Sequence, residues 1–153
     1  MDVVAGVRWS SAAGTTNYRS YSRDHAVVAE AKPDIPASSA PAFRGDGTRY
    51  NPEELVVAAL ASCHMLWYLH LCATSGIVVR EYADDASGVV RLEENGSGQF
   101  AGATLRPRVT IASGDAARAG ELHQRAHELC FIARSVNFPV LVEPRGVFEV
   151  SEC

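Results

Sequence analysis

The sequence predicts an α+β fold, from the order in which its apolar patterns change. Two stretches, 51–74 and 115–135, carry helical signals, while the segments before, between and after them read as strands. Between the helices, Glu94-Asn95-Gly96 separates two long strand-like runs and marks a hairpin. A chain of 153 residues suits one compact domain over 1–153, or one protomer of a small oligomer.

Val3 to Trp9 and Asp24 to Glu30 read as strands, joined by a turn over Ser11 to Asn17 that contains Gly14. Lys32 to Tyr50 shows no periodicity and holds Pro33, Pro36, Pro41, Gly45 and Gly47. A loop of that length inside a compact domain is commonly functional. The first helix has the clearest start in the chain. Asn51 can cap it, Pro52 suits its first position, and Glu54 completes a capping-box pattern. It runs to Thr74 and ends at Gly76. Leu55 to Ala73 is almost wholly apolar and long enough to cross a bilayer. Its histidines, small residues and acidic start instead fit a helix buried by protein on most sides.

Val78 to Leu92 and Gly98 to Ala112 read as two long strands, with Arg106-Pro107-Arg108 marking an edge or a bulge in the second. Asp115 to Ser135 reads as the second helix, with Leu122, Ala126 and Leu129 on its apolar side. Val140 to Val142 and Val147 to Val150 close the chain as strands. There is no internal repeat, low-complexity tract or linker.

Composition narrows the function. A net charge of −4 leaves no basic footprint for nucleic acid or for anionic membranes. The N-terminus shows no charged and apolar leader pattern, so the expected compartment is the cytoplasm. Thiols there are kept reduced, which favours catalytic or metal roles for cysteine over structural bridges. Cys63 and Cys130 each fall within an apolar helical stretch, and two such thiols adjacent in space would form a redox centre. Leu55, Ala59, Cys63 and Trp67 recur at helical spacing, which points Cys63 into packed surroundings. Desolvation alone leaves a thiol inert, so reactivity needs a cation. Arg19 and Arg23, in Asn17-Tyr18-Arg19-Ser20-Tyr21-Ser22-Arg23-Asp24-His25, are the candidates. Cys72 reads as core and Cys153 as an exposed terminal residue.

Three motifs in this chain resemble those of the OsmC/Ohr family of thiol-dependent peroxidases. They are Asn-Pro-Glu-Glu-Leu at 51 to 55 with Cys63 ten residues after Glu53, Ala-His-Glu-Leu-Cys at 126 to 130, and Ser22-Arg23-Asp24. The element order matches over essentially the whole chain. The resemblance implies an intertwined homodimer with antiparallel sheets packed around two long helices. It also implies a peroxidatic Cys63, a resolving Cys130, an Arg23 that holds the thiolate and a Glu53 that orients Arg23. The implied substrate is an organic hydroperoxide and the reductant a dithiol or thiol; no cofactor or metal is implied. Phe131 stands where proline often follows the second cysteine, and His64 where the Ohr branch has an aromatic, so the OsmC-like subgroup fits better.

The competing constellation is His123, His127 and Cys130, at i, i+4 and i+7, a donor set that suits zinc with Cys63 or His64 as a fourth ligand. The usual Cys-x-x-Cys spacing is absent. A cysteine hydrolase using His64 as base is disfavoured, because adjacent residues point about 100° apart on a helix. A non-enzymatic structural role is the remaining alternative. Helix geometry adds one expectation. Residues ten apart on one helix lie roughly 15 Å apart along the axis. Glu53 therefore cannot reach its own chain's Cys63, and a composite site in a homodimer follows.

Overall fold

The computed structural model describes residues 1–150, so Cys153 lies outside the described residues. The chain divides by internal packing into two units, Met1–Leu55 and the remainder from Val56.

In the first unit β1 (Gly6–Arg8), β2 (His25–Val28) and β3 (Ile35–Ala37) form an antiparallel sheet in that order. The first two strands are shorter than the sequence suggests, and β3 falls inside the stretch expected to be a loop. As an edge strand β3 accommodates Pro36, whose missing N–H costs nothing there. Polar ties close the rest of that stretch. Buried Ser38 donates to Asp24 Oδ1 (2.9 Å) and accepts from the Asp46 N–H (3.0 Å). Arg49 Nε lies 3.5 Å from both Asp24 and Asp46. Gly45 passes so close to Ser39 that a Cβ would sit 1.5 Å from its carbonyl oxygen, so no other residue fits this path.

The capping box forms as expected at the head of α1 (Pro52–Thr74). The Glu54 N–H donates to Asn51 Oδ1 (2.8 Å) and the Asn51 N–H to Glu54 Oε2 (3.1 Å). Gly76, at φ +72°, ends the helix. The buried stripe is Leu60, His64, Tyr68 and Cys72, one residue at every i+4. That corrects the expected face of Leu55, Ala59, Cys63 and Trp67, which lies about 100° away around the helix. Cys63 is half-buried, at the margin of the stripe.

Both long runs after α1 change sheets midway. They become β4 (Val78–Asp84) with β5 (Ser87–Leu92), and β6 (Gly98–Leu105) with β7 (Pro107–Ser113). The hairpin at Asn95-Gly96 pairs β5 with β6, while β4 pairs with β7 in a second sheet. The Arg106 N–H donates to Asp84 Oδ1 (2.6 Å) and its guanidinium to Ser87 Oγ (2.8 Å), fixing the crossing point. Pro107, following directly, begins a central strand rather than an edge. The first position of a strand tolerates it. β8 (Val140–Val142) joins β6 in parallel and β9 (Gly146–Glu149) joins β7 likewise. These two sheets are therefore mixed rather than purely antiparallel.

Asp115 caps α2 (Ala116–Leu129), accepting from the N–H groups of Ala117 and Arg118. The helix stops well short of Ser135. Cys130 is its extended C-cap, not a mid-helix residue, and a 3₁₀ turn follows at Ala133–Ser135. Two apolar clusters fill this unit. Tyr68 and Cys72 pack with Ile77, Val109, Ile111, Ala119, Leu122 and Ala126 between α1, α2 and the β4–β7–β9 sheet. Leu60 packs with Ala103 and Leu105 of the β5–β6–β8 sheet. Leu60 alone contributes roughly 1.5–3 kcal/mol by burial and anchors the helical turn just before Cys63.

Candidate active site

Cys63 and Cys130 are neighbours. Burial pushes the Cys130 thiol up to about 11, and the nearby Cys63 adds to the rise. Cys130 is fully buried and takes one compensating contact, from the Ala133 N–H to its sulfur (3.4 Å). The 3₁₀ turn after α2 supplies that N–H, so the early end of α2 is what shapes the setting of Cys130. Cys72, one of the three free cysteines among the described residues, is core as expected. Two neighbouring thiols can be oxidised to a disulfide.

An open groove of about 270 Å³ follows on the same face of α1, lined by Leu66, Trp67, His70 and Phe131. The first three stand three, four and seven residues after Cys63, and Phe131 adjoins Cys130. The Trp67 and Phe131 rings meet edge-on with centroids 5.8 Å apart. Apolar surface thus borders the thiols.

Beneath Cys63, His64 Nε2 and His123 Nδ1 lie 3.1 Å apart, with both residues almost fully buried. The Tyr68 ring stacks on His123 at 4.0 Å. Burial pushes both imidazoles down to about 4, with the His127 charge adding to the effect on His64 and the His64 charge to that on His123. Both rings are neutral at physiological pH, one donating and the other accepting. In the unfolded chain each titrates near 6.5. Below that value the unfolded state takes up protons that the folded state refuses, so stability is complete above 6.5 and falls as pH drops to 4. The loss amounts to roughly 3 kcal/mol per imidazole. Melting temperatures measured from pH 7.5 to 4 should fall across this window. Replacing both histidines by leucine should flatten the curve, and an unchanged slope would remove them as its cause.

This arrangement also bears on the zinc constellation. His123 is committed to His64, and Cys130 has left the helical face it would share with His123 and His127. No three His, Cys, Asp or Glu side chains converge to hold a metal among the described residues. The sequence pattern singled out His123 but missed its pairing with His64. The signal was the i+4 series Leu60, His64, Tyr68 and Cys72.

In the first unit, Arg23 is held by its own loop. Its guanidinium donates to the backbone carbonyls of Tyr21 and, at 2.6 Å, Tyr18, and lies 3.7 Å from the Tyr21 ring centroid. It lines a cavity of about 410 Å³ with Val7, Trp9, Tyr21, His25 and Pro52, and the walls are mainly carbon. No carboxylate lies within ion-pair distance of Arg23 among the described residues, Glu53 included. Glu53 sits in the first turn of α1 with one carboxylate oxygen, Oε2, buried and without a hydrogen-bond partner. Arg19 is exposed, and among the described residues only its backbone N–H is engaged, by Asn17 Oδ1 (2.8 Å).

Comparison with known proteins fits this architecture. Residues 45–145 match the family model described as OsmC-like protein. A solved OsmC-like protein of unknown function from Vibrio cholerae is 31% identical, with TM-score 0.85 over 94% of this chain and 99% of that one. An organic hydroperoxide resistance protein from Legionella pneumophila shares the fold at 17% identity, with TM-score 0.68 and 98% of each chain covered. So does the organic hydroperoxide resistance protein OhrB of Bacillus subtilis, at 21% identity and TM-score 0.63, over 94% of this chain and 98% of that one. No curated protein matches the sequence. The family match spans most of the chain and the Vibrio likeness nearly all of it, so this chain belongs to the OsmC-like protein family.

Proposed function

We propose that this protein is a cytoplasmic thiol peroxidase that reduces organic hydroperoxides as part of an oxidative-stress response. The observation that carries the reading is the closeness of Cys63 to Cys130. The Cys63 thiolate attacks the terminal peroxide oxygen, the O–O bond breaks, and the alcohol leaves with a proton. The resulting sulfenic acid condenses with Cys130 to a disulfide and water. A dithiol or small thiol then restores both thiols by exchange. The solved relatives described as organic hydroperoxide resistance proteins support this substrate class. So does the apolar groove beside the thiols.

Arg23 is the cation assigned to the thiolate and to the departing oxygen, a role its planar fork suits. Its present donations to two carbonyls can be exchanged for the reacting atoms without removing a buried ion pair. Arg23→Ala should slow peroxide reduction and Cys63 alkylation at neutral pH by roughly 10- to 100-fold, the value of one charge-assisted contact. Arg19→Ala should do much less; the reverse order would assign the role to Arg19.

Intact mass after one equivalent of cumene hydroperoxide tests the reading as a whole. A loss of two hydrogens is the expected result. An unchanged mass would favour a structural role for the cysteines.

A further inference from the structure

We propose that the buried His64–His123 hydrogen bond is a positioning device that sets the register of the two thiol-bearing segments and so controls closure of the Cys63–Cys130 disulfide. His64 follows Cys63 directly on α1, and His123 lies seven residues before Cys130 on α2. The pair is thus a directional link between the two helices that deliver the sulfurs.

The geometry is well defined. The nitrogens are 3.1 Å apart, the ring planes are within 6° of parallel, and Tyr68 stacks on His123 within 11° of parallel. His64 is wholly buried and His123 is 2% exposed. The outer nitrogens, His64 Nδ1 and His123 Nε2, have no partner. Each ring therefore makes one hydrogen bond and leaves one polar atom unsatisfied in the core. That is a poor source of stability, since an apolar pair of similar size carries no such penalty. What the pair supplies instead is direction. Leucine or phenylalanine contacts would let α1 slide on α2 by a fraction of a turn at little cost, whereas a 3.1 Å contact between two nitrogens would not.

Disulfide closure is sensitive to such sliding. The bond needs an S–S distance near 2.05 Å and Cβ atoms within about 4.5 Å. Cys130 has little freedom of its own, being fully buried at a C-cap and contacted by the Ala133 N–H. Its register with Cys63 must come from the helices. In the closing step the S–O bond of the Cys63 sulfenic acid breaks and the S–S bond forms. The Cys130 proton leaves with the hydroxyl as water.

The functional meaning rests on the peroxidase reading, but the test does not require peroxide. The full chain is equilibrated in glutathione redox buffers, and the Cys63–Cys130 bond is quantified by peptide mass mapping. His123→Leu fills the space but breaks the link. It should lower the equilibrium constant for the disulfide about tenfold, which is close to 30 mV for this two-electron couple. His123→Asn keeps a polar atom where Nδ1 stands and should restore it to within about twofold of the parent. An unchanged constant in His123→Leu overturns the proposal. So does an equal loss in the leucine and asparagine variants, which would reveal packing rather than hydrogen bonding. Should His123→Leu fail to fold, His64→Leu breaks the same link from α1 and must lower the constant about tenfold, while His64→Gln, which keeps a polar atom where Nε2 stands, must stay within about twofold of the parent. A parent that forms the disulfide in glutathione but consumes no peroxide would overturn the peroxidase reading and leave the positioning role intact.

Discussion

Cys63→Ser will abolish peroxide consumption, by about three orders of magnitude or more, because a hydroxyl at neutral pH is a far weaker nucleophile than a thiolate. Cys130 cannot substitute. With its thiol pushed up to about 11, Cys130 stays protonated at pH 7. It is also fully buried, away from solvent oxidants. The converse variant behaves differently. Cys130→Ser should still oxidise once, at close to the parent rate, and then hold Cys63 as a sulfenic acid. That species is trappable by a dimedone-type reagent and overoxidises more readily. Single-turnover peroxide loss and intact mass separate the two variants. Equal loss of the first oxidation in both would contradict the division of roles.

The division of roles is written in burial, which the sequence conveys only in part. The cap of α1 was legible because it depends on neighbours: Asn51 with Glu54 is a local contact. The hairpin at Asn95-Gly96 was legible for the same reason. The early end of α2 was not, since nothing in Leu129-Cys130-Phe131-Ile132 breaks a helix. Its cause is tertiary, in the packing of Ile132 and Ala133 against the Leu60 cluster. β3 was hidden because polar ties rather than periodic apolar residues hold its loop. The buried side of α1 lies one residue from the expected face, because a helix apolar all round has no moment to mark its buried side. That single step separates Cys63 from His64.

Inactive Cys63→Ser and inactive Glu53→Ala subunits, mixed in equal amounts, should regain about a quarter of parental activity. The expectation rests on helix geometry and on what one protomer leaves uncovered. α1 runs unbroken from Pro52 to Thr74, so Glu53 stands roughly 15 Å along the axis from Cys63 of its own chain. A carboxylate cannot span that distance. Yet Glu53 Oε2 is buried without a partner, a costly state unless a group from elsewhere satisfies it. The same helix is apolar throughout but buries only Leu60, His64, Tyr68 and Cys72, leaving Leu66 61% exposed. Val89 and Leu92 of the β5–β6 hairpin are exposed to a similar degree, at 63% and 59%. A second copy of the chain, packed about a two-fold axis, would cover these surfaces and bring Glu53, with Arg23, to the partner's thiol. Each dimer would then hold two composite sites. Random exchange makes half of the dimers mixed, and each mixed dimer pairs one intact Cys63 with one intact Glu53 at one of its two sites. If Glu53 instead served its own chain, no intact site could form and mixing would restore nothing. Sedimentation should show a dimer at assay concentrations, and a fully active monomer would exclude the composite site outright.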